Sequence, residues 1–164
     1  MEISKMHGSE TCKEFGMEIH LPGVKKFDEE MYKWEELEKT KVLLTGYYKN
    51  RQFVIGKNKF CEPVVYVEVL KDDVGYENGY GDDYFGDAYW LPKEERGDRK
   101  FTGWDHGHAG DYSPRDEFVH HLDTSEDYKW PLVEMLMEVA YYVAYLEHEN
   151  ECRECYVIHK GTDE

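Results

Sequence analysis

The sequence predicts an α+β domain in which a small antiparallel sheet is covered by one long carboxy-terminal helix. Short β-rich segments follow one another between residues 41 and 70, with turn residues between them. After Pro131, apolar residues recur at spacings of three and four, which is typical of an amphipathic helix. Residues 72–90 lack any period and are rich in Gly, Asp and Tyr, so we expect a long irregular loop there.

Chain length and composition favour a single globular domain over residues 1–164. A chain of this size supports one hydrophobic core, and its hydrophobic content of 40% and aromatic content of 15% supply the material for it. Residues 1–26 are mixed and mostly polar, so we expect them to be partly mobile.

The first predicted helix runs from Asp28 to Lys39. Asp28 is the expected N-cap, and the glutamates that follow it suit the positive end of a helix dipole. Met31, Trp34 and Leu37 form one narrow apolar stripe. We therefore expect Trp34 to pack in the core.

Three strands are predicted next, at Lys41–Tyr48, Gln52–Ile55 and Pro63–Leu70. A turn at Asn50-Arg51 makes the first two a hairpin, and an antiparallel meander is the simplest arrangement of all three. In the third strand, alternate valines from Val65 to Val69 share one face. A further short strand, Lys100–Trp104, leads into a glycine-rich motif.

The last predicted element is a helix over residues 131–149, with Pro131 in its first turn. Val133 and Ala140 are expected to widen its apolar stripe. The stripe itself consists of Leu132, Met135, Leu136, Val139, Val143 and Leu146.

The net charge of −16 argues against direct nucleic-acid binding, which depends on Lys and Arg. Such an acidic surface can instead occupy the basic groove of a protein that binds nucleic acid. No apolar run approaches the ~18 residues of a membrane helix, and the amino terminus has no signal-peptide core. We therefore expect no membrane association and a cytoplasmic location with reduced cysteines.

The densest group of ligand-type side chains lies between Asp105 and Asp111. His106 and His108 are two residues apart, so on an extended strand both can reach one metal ion, with Asp111 as a third ligand. Known metal motifs match this spacing poorly. The alternative is that these side chains brace a tight glycine loop.

A second candidate zinc site consists of His148, Cys152, Cys155 and His159. On a continuous helix its ends are about 16 Å apart, which is too far for one ion. A four-ligand site therefore requires the helix to break near Asn150. Otherwise these residues belong to an ordinary exposed tail.

The acidic aromatic loop is the predicted partner-binding surface. It has no EF-hand pattern. Its carboxylates can bind calcium loosely, its aromatics can stack on a partner, or the aromatics can fold back on the sheet. The predicted contacts are Asp72, Asp73, Tyr76, Tyr80, Asp82, Asp83, Tyr84 and Trp90.

The segment Phe101–Pro114 reads Phe-Thr-Gly-Trp-Asp-His-Gly-His-Ala-Gly-Asp-Tyr-Ser-Pro. It resembles a motif of small bacteriophage proteins, roughly Trp-Trp-Phe-Gly-Phe-Asp-Cys-Ala-His-Ala-Gly-Asp-x-x-Pro. His106 stands where that family often has Cys. The strand from Cys61 to Val69 and the helix entry Tyr128-Lys129-Trp130 are also similar, whereas Val74–Gly79 lacks the histidine of the family's Val-His-Gly-Gly-Leu-Thr segment. The matching residues are Gly103, Asp105, His108, Ala109, Gly110 and Asp111.

The resemblance implies a virus-encoded accessory protein of the host cytoplasm. Together with the small size and the acidity, it favours a non-enzymatic protein that binds and inhibits a host factor, including one of antiviral defence. The alternative is a metal-dependent hydrolase or a small-ligand-binding protein centred on His106, His108 and Asp111, with zinc as the expected metal.

Overall fold

The computed structural model describes residues 11–12, 16–20, 24–80 and 93–153. This part of the chain forms an α+β fold with a six-stranded antiparallel sheet in the order β1 to β6, so that each strand pairs with its neighbours in sequence. The strands are β1 (Thr11–Cys12), β2 (Glu18–His20), β3 (Lys41–Tyr48), β4 (Arg51–Lys57), β5 (Pro63–Val69) and β6 (Lys100–Asp105). The helices are α1 (Val24–Met31), α2 (Lys93–Arg96), α3 (Pro114–Phe118) and α4 (Leu132–Glu151).

The predicted meander is confirmed, with β3, β4 and β5 as consecutive antiparallel neighbours. The turn prediction at Asn50-Arg51 is wrong by one residue, because Lys49 and Asn50 are the two turn residues. Both have positive φ angles, 48° and 65°, which suits a two-residue hairpin turn between right-twisted strands. Arg51 is consequently the first residue of β4, and it is buried.

Helix α4 packs against one face of the sheet and completes the main hydrophobic core. The six residues of the predicted stripe are the buried residues of this helix, and they pack with Val65, Val67 and other apolar side chains of the sheet and α1. Ala140 packs against the same cluster, but the prediction for Val133 is wrong, since that side chain is 40% exposed. Within the described residues, no helix has the length and apolarity needed to cross a membrane.

Helix α1 differs from the predicted Asp28–Lys39 helix, because it begins at Val24 and ends at Met31. Asp28 therefore lies inside the helix and is not its N-cap. The early end is explained by the buried Lys57 of β4. Its Nζ atom donates to the carbonyl oxygens of Glu30, at 2.6 Å, and Lys33, at 2.8 Å. These two carbonyl oxygens, at and just beyond the end of α1, accept hydrogen bonds from a side chain of β4. The chain therefore does not continue as a helix after Met31.

Because α1 ends at Met31, Trp34 does not occupy the core position that the sequence predicted for it. Trp34 is only half-buried and belongs to neither of the two buried apolar clusters. Its neighbour Glu35 instead pairs with the Lys57 ammonium group at 2.7 Å. The stripe of Met31, Trp34 and Leu37 is therefore not a continuous helix face.

The sheet face opposite α4 carries a second, smaller buried cluster formed by Val54, Val64, Tyr66 and Phe101. Tyr66 lies opposite Gly103 of β6 in the strand register. A methyl group at Gly103 would stand 2.6 Å from the Tyr66 ring and 2.3 Å from the Val65 carbonyl oxygen. The glycine therefore gives the tyrosine ring room to lie across the neighbouring strand.

Residues 71–80 form a series of turns with no regular element, and the predicted long loop over 72–90 stays a prediction. Asn150 of α4 fixes this segment, since its side chain accepts from the Val74 backbone N–H at 3.0 Å and donates to Asp73 at 2.8 Å. Residues 81–92 lie outside the described residues. So does most of the range 1–26, apart from β1, β2, residues 16–17 and the start of α1.

Candidate functional site

The glycine-rich loop begins where β6 ends. The His106 backbone N–H still donates to the Pro63 carbonyl oxygen at 2.8 Å, so the chain remains attached to β5 at this point. It then turns, because the Gly107 N–H donates to the Asp105 carboxylate at 3.0 Å and Gly110 adopts a φ angle of 93°. The extended geometry needed to aim two histidines in one direction is therefore lost immediately after His106.

His106 is buried and points toward α4. Its Nε2 atom lies 2.7 Å from Glu138 Oε1, and its ring stacks on Trp130 with centroids 3.9 Å apart and planes inclined by 21°. A hydrogen bond and a stacked ring fix the imidazole from two directions. In this position His106 holds the loop, Glu138 and Trp130 together.

Asp111 also contacts Trp130. One carboxylate oxygen accepts from the indole N–H at 2.9 Å, and the other accepts from the His108 backbone N–H at 3.1 Å. Nearby, backbone hydrogen bonds from Tyr112 to Tyr128 and from Tyr128 to Gly110 attach the loop to the chain that enters α4. Asp111 therefore orients a tryptophan and closes the loop.

His108 is on the outside of the loop, with its side chain 80% exposed and its Nδ1 atom 3.8 Å from Asp105. The three predicted metal ligands thus do not converge on one point. In the part of the chain that the structure describes, no three His, Cys, Asp or Glu side chains are placed to hold a metal ion. The contacts of His106 and Asp111 are those of the bracing alternative, and metal binding by the loop stays a prediction.

The second predicted metal site falls only partly within the described residues. Helix α4 continues to Glu151, which keeps His148 and Cys152 one turn apart, with 3.7 Å between Nε2 and Sγ. Cys155 and His159 lie outside the described residues. A zinc site with these four ligands therefore stays a prediction.

Among the predicted partner contacts that the structure describes, Asp73 is the one with a fully enclosed side chain, which contradicts its predicted role. Its side chain is buried in an ion pair with Arg51, whose Nη2 atom lies 2.8 Å from Oδ1. Burial by itself would raise the pKa of Asp73, but hydrogen bonds from Arg51, Asn150 and the Leu70 backbone lower it below its usual value. A carboxylate enclosed in this way joins parts of the fold and is not available to a partner.

The other described residues of this predicted surface already make contacts within the protein. Asp72 is exposed, and its carbonyl oxygen accepts from Arg153. The Lys100 ammonium lies 4.1 Å from the Tyr76 ring centroid. Tyr80 packs edge-on against Tyr145 at 6.1 Å, and burial raises its pKa to about 12. Asp82, Asp83, Tyr84 and Trp90 lie outside the described residues.

An open groove runs along the side of α4 next to β6, and the sequence did not indicate it. We call it the α4 groove; its volume is about 660 Å³. Met137 is 56% exposed and Tyr141 is 79% exposed, although both belong to a helix with a fully buried opposite face. The groove is lined by Trp104, Trp130, Glu134, Met137, Glu138, Tyr141 and Tyr142.

The glycine-rich loop positions one wall of the α4 groove. Trp130 is fixed by His106 and Asp111, while Glu138 is fixed by His106. Glu134 accepts hydrogen bonds from the Tyr128 hydroxyl at 2.6 and 2.7 Å, and this contact raises the tyrosine's pKa. Two carboxylates and an indole therefore stand in fixed positions beside exposed apolar side chains.

Comparison of the chain with protein-family models, with curated proteins and with solved structures finds no match.

Proposed function

We propose that this protein is a non-enzymatic binding protein that captures a segment of a partner protein in the α4 groove. The partner segment carries at least one large apolar side chain and one Lys or Arg. The observation that supports this proposal is the exposed Met137 and Tyr141 beside the two fixed carboxylates of Glu134 and Glu138.

The apolar part of the groove has the composition of a protein interface. Aromatic residues and methionine are enriched in interfaces, and a flexible methionine adapts to different partner side chains. Tyr141 and Met137 are among the most exposed large hydrophobic residues of the described chain. Covering them removes apolar surface from water, which favours association.

The acidic part of the groove determines the kind of partner. Glu134 and Glu138 line it, and the whole chain carries a net charge of −16, so a basic segment is attracted at long range and an acidic one is repelled. Because Tyr128 and His106 already hold these carboxylates, little side-chain entropy is lost when a cation binds.

The resemblance of the glycine-rich loop to bacteriophage proteins extends the proposal to the identity of the partner. On that resemblance, the partner is a host protein, and binding inhibits it. A host protein with a basic nucleic-acid-binding surface, such as an antiviral defence factor, has the complementary charge. The acidic loop around Asp72 is a second contact surface in this proposal.

A groove with two added lysines tests the proposal. The untagged protein and a Met137→Lys/Tyr141→Lys variant are expressed in a bacterial host, purified at low salt and examined by native mass spectrometry. We expect the original protein to retain a stoichiometric host protein, and the variant to lose it because two added charges repel a basic segment. Tyr47→Lys is the matched control, since Tyr47 is 44% exposed on β3, away from the groove.

Three results would count against the groove. They are equal retention by the groove variant, equal loss by the Tyr47 control, and a complex that does not weaken as salt is raised. The same spectra test the alternative function. A bound metal that disappears in a His106→Ala/His108→Ala variant would favour metal-dependent chemistry at the glycine-rich loop.

A further inference from the structure

The α4 groove presents its acidic and apolar residues in two parallel rows. Glu134 and Glu138 are four residues apart on α4, and so are Met137 and Tyr141. Residues three or four apart are neighbours on a helix surface, so each carboxylate stands beside an exposed apolar side chain. A ligand that lies along the groove therefore meets negative charge on one side and apolar surface on the other.

The two carboxylates are available to a ligand. Glu138 keeps 28% of its side-chain surface exposed, and His106 contacts its Oε1 atom. Glu134 is half-buried, and its contact is the uncharged Tyr128 hydroxyl. Within the described residues, neither glutamate pairs with a lysine or an arginine. Because a carboxylate offers about four acceptor sites, both can accept further hydrogen bonds.

Aromatic side chains line the same groove. Tyr141 is 79% exposed and follows Glu138 by three residues, so a cation held by that carboxylate also reaches the tyrosine ring. Trp104 and Tyr142, whose ring centroids are 5.0 Å apart, and Trp130 complete the aromatic lining. The face of an aromatic ring attracts a cation, and arginine makes this contact more often than lysine. The groove therefore combines both features that bind a guanidinium group.

We infer that the basic side chain bound in the α4 groove is an arginine, selected over lysine. The inference rests on the proposed function and specifies the partner residue that the groove recognises. The arginine stem covers Met137, and its planar guanidinium stacks on the Tyr141 ring. Its N–H groups point at Glu134 and Glu138, and five donors in a fixed plane reach two carboxylates at once. A lysine ammonium is a compact, strongly hydrated charge with no face for stacking.

Four peptides that differ in one residue test this selection. They are acetylated and amidated Leu-Ala-Arg-Ala-Leu and its counterparts with lysine, trimethyl-lysine or citrulline in place of arginine. Binding is followed by NMR of the Met137 methyl group, with the Val64 methyl groups on the opposite sheet face as internal control. We expect saturable Met137 shifts and about tenfold tighter binding of the arginine peptide than of the lysine peptide. Trimethyl-lysine donates no hydrogen bond and citrulline carries no charge, so both should also bind more weakly than arginine.

Isosteric substitution shows whether the two carboxylates make the selection. Glu134→Gln/Glu138→Gln removes both charges and keeps the shape of the side chains, so we expect the arginine and lysine peptides to bind it weakly and about equally. Glu151→Gln is the matched control, because it removes a charge from the far end of the same helix. It should keep the preference of the original protein for arginine.

The results separate this inference from the proposed function. Equal affinity for the arginine and lysine peptides, with saturable Met137 shifts, overturns the selection of arginine and leaves the groove as a binding site. Tightest binding of trimethyl-lysine overturns it in favour of an aromatic cage. An unchanged preference in Glu134→Gln/Glu138→Gln, or its loss in Glu151→Gln, overturns the role of the carboxylates. If no peptide shifts Met137, the result counts against both the inference and the groove.

Discussion

Two adjacent aspartates, Asp72 and Asp73, show how differently identical residues behave in this fold. Asp72 is exposed, whereas Asp73 is enclosed by Arg51, Asn150 and the Leu70 backbone N–H, the last at 2.6 Å. The sequence placed both on a partner-binding surface, because a run of acidic residues does not show which one turns inward. Arg51 is 22 residues away, on β4, so no local pattern could have paired it with Asp73.

We expect Asp73→Ala to lower the free energy of unfolding by about 3–5 kcal/mol, since it leaves the buried Arg51 guanidinium without a counter-ion. Asp72→Ala is the matched control and should change it by less than about 0.5 kcal/mol. Urea unfolding at neutral pH measures both. Similar values for the two variants would show that the Arg51–Asp73 pair contributes little.

The pH dependence of unfolding is an independent test of how much the Arg51–Asp73 pair contributes to stability. The pKa of Asp73 is lowered in the folded protein, so its ionised form stabilises the fold above the unfolded pKa, near 3.8. This contribution is lost as pH falls through the lower, folded pKa. The acid limb of the stability curve should therefore be shallower in Asp73→Ala than in the original protein or in Asp72→Ala.

At the scale of elements, α4 was the most predictable part of the chain. Its six buried residues recur at helical spacing because one side of the helix faces the sheet along its length. The α4 groove was not predictable in the same way. Met137 and Tyr141 stand outside the buried stripe, and an exposed apolar residue is ordinary on any helix until Trp104 and Trp130 are seen beside it.

A pair of aspartate substitutions tests the division of α4 into two sides. Val139→Asp places an unpaired charge in the core and should cost about 4 kcal/mol or more, enough to unfold the domain. Val133→Asp, on the same helix, should be neutral or slightly stabilising, because the residue is 40% exposed and lies in the first turn. Circular dichroism melts distinguish them, and a folded Val139→Asp protein would contradict this assignment.

In the glycine-rich loop, the sequence spacing of two residues was not enough to predict the directions of two side chains. Two histidines two residues apart share a side only while the backbone stays extended. β6 ends at Asp105, and His106, still attached to β5, points toward α4, whereas His108, after the turn at Gly107, lies on the outside of the loop. The sequence located the segment that positions Trp130 and Glu138. The direction of each side chain depended on where the strand stopped.

At the scale of the whole molecule, the dominant feature is the imbalance between 36 acidic and 20 basic residues. Like charges repel more strongly in the compact state than in the expanded chain. We expect NaCl between about 0.02 and 0.2 M to raise the melting temperature by about 2–4 °C, which corresponds to roughly 1 kcal/mol in a domain of this size. Matched sucrose solutions control for general solvent effects, and a flat or falling curve with salt would show that repulsion is unimportant.

Lys57 has a consequence for how the chain acquires its structure. The residue that ends α1 lies on β4, 27 positions after Glu30. The carbonyl oxygens of Glu30 and Lys33 are therefore satisfied only when β4 is in place, so the end of this helix depends on a long-range contact and not on its local sequence alone.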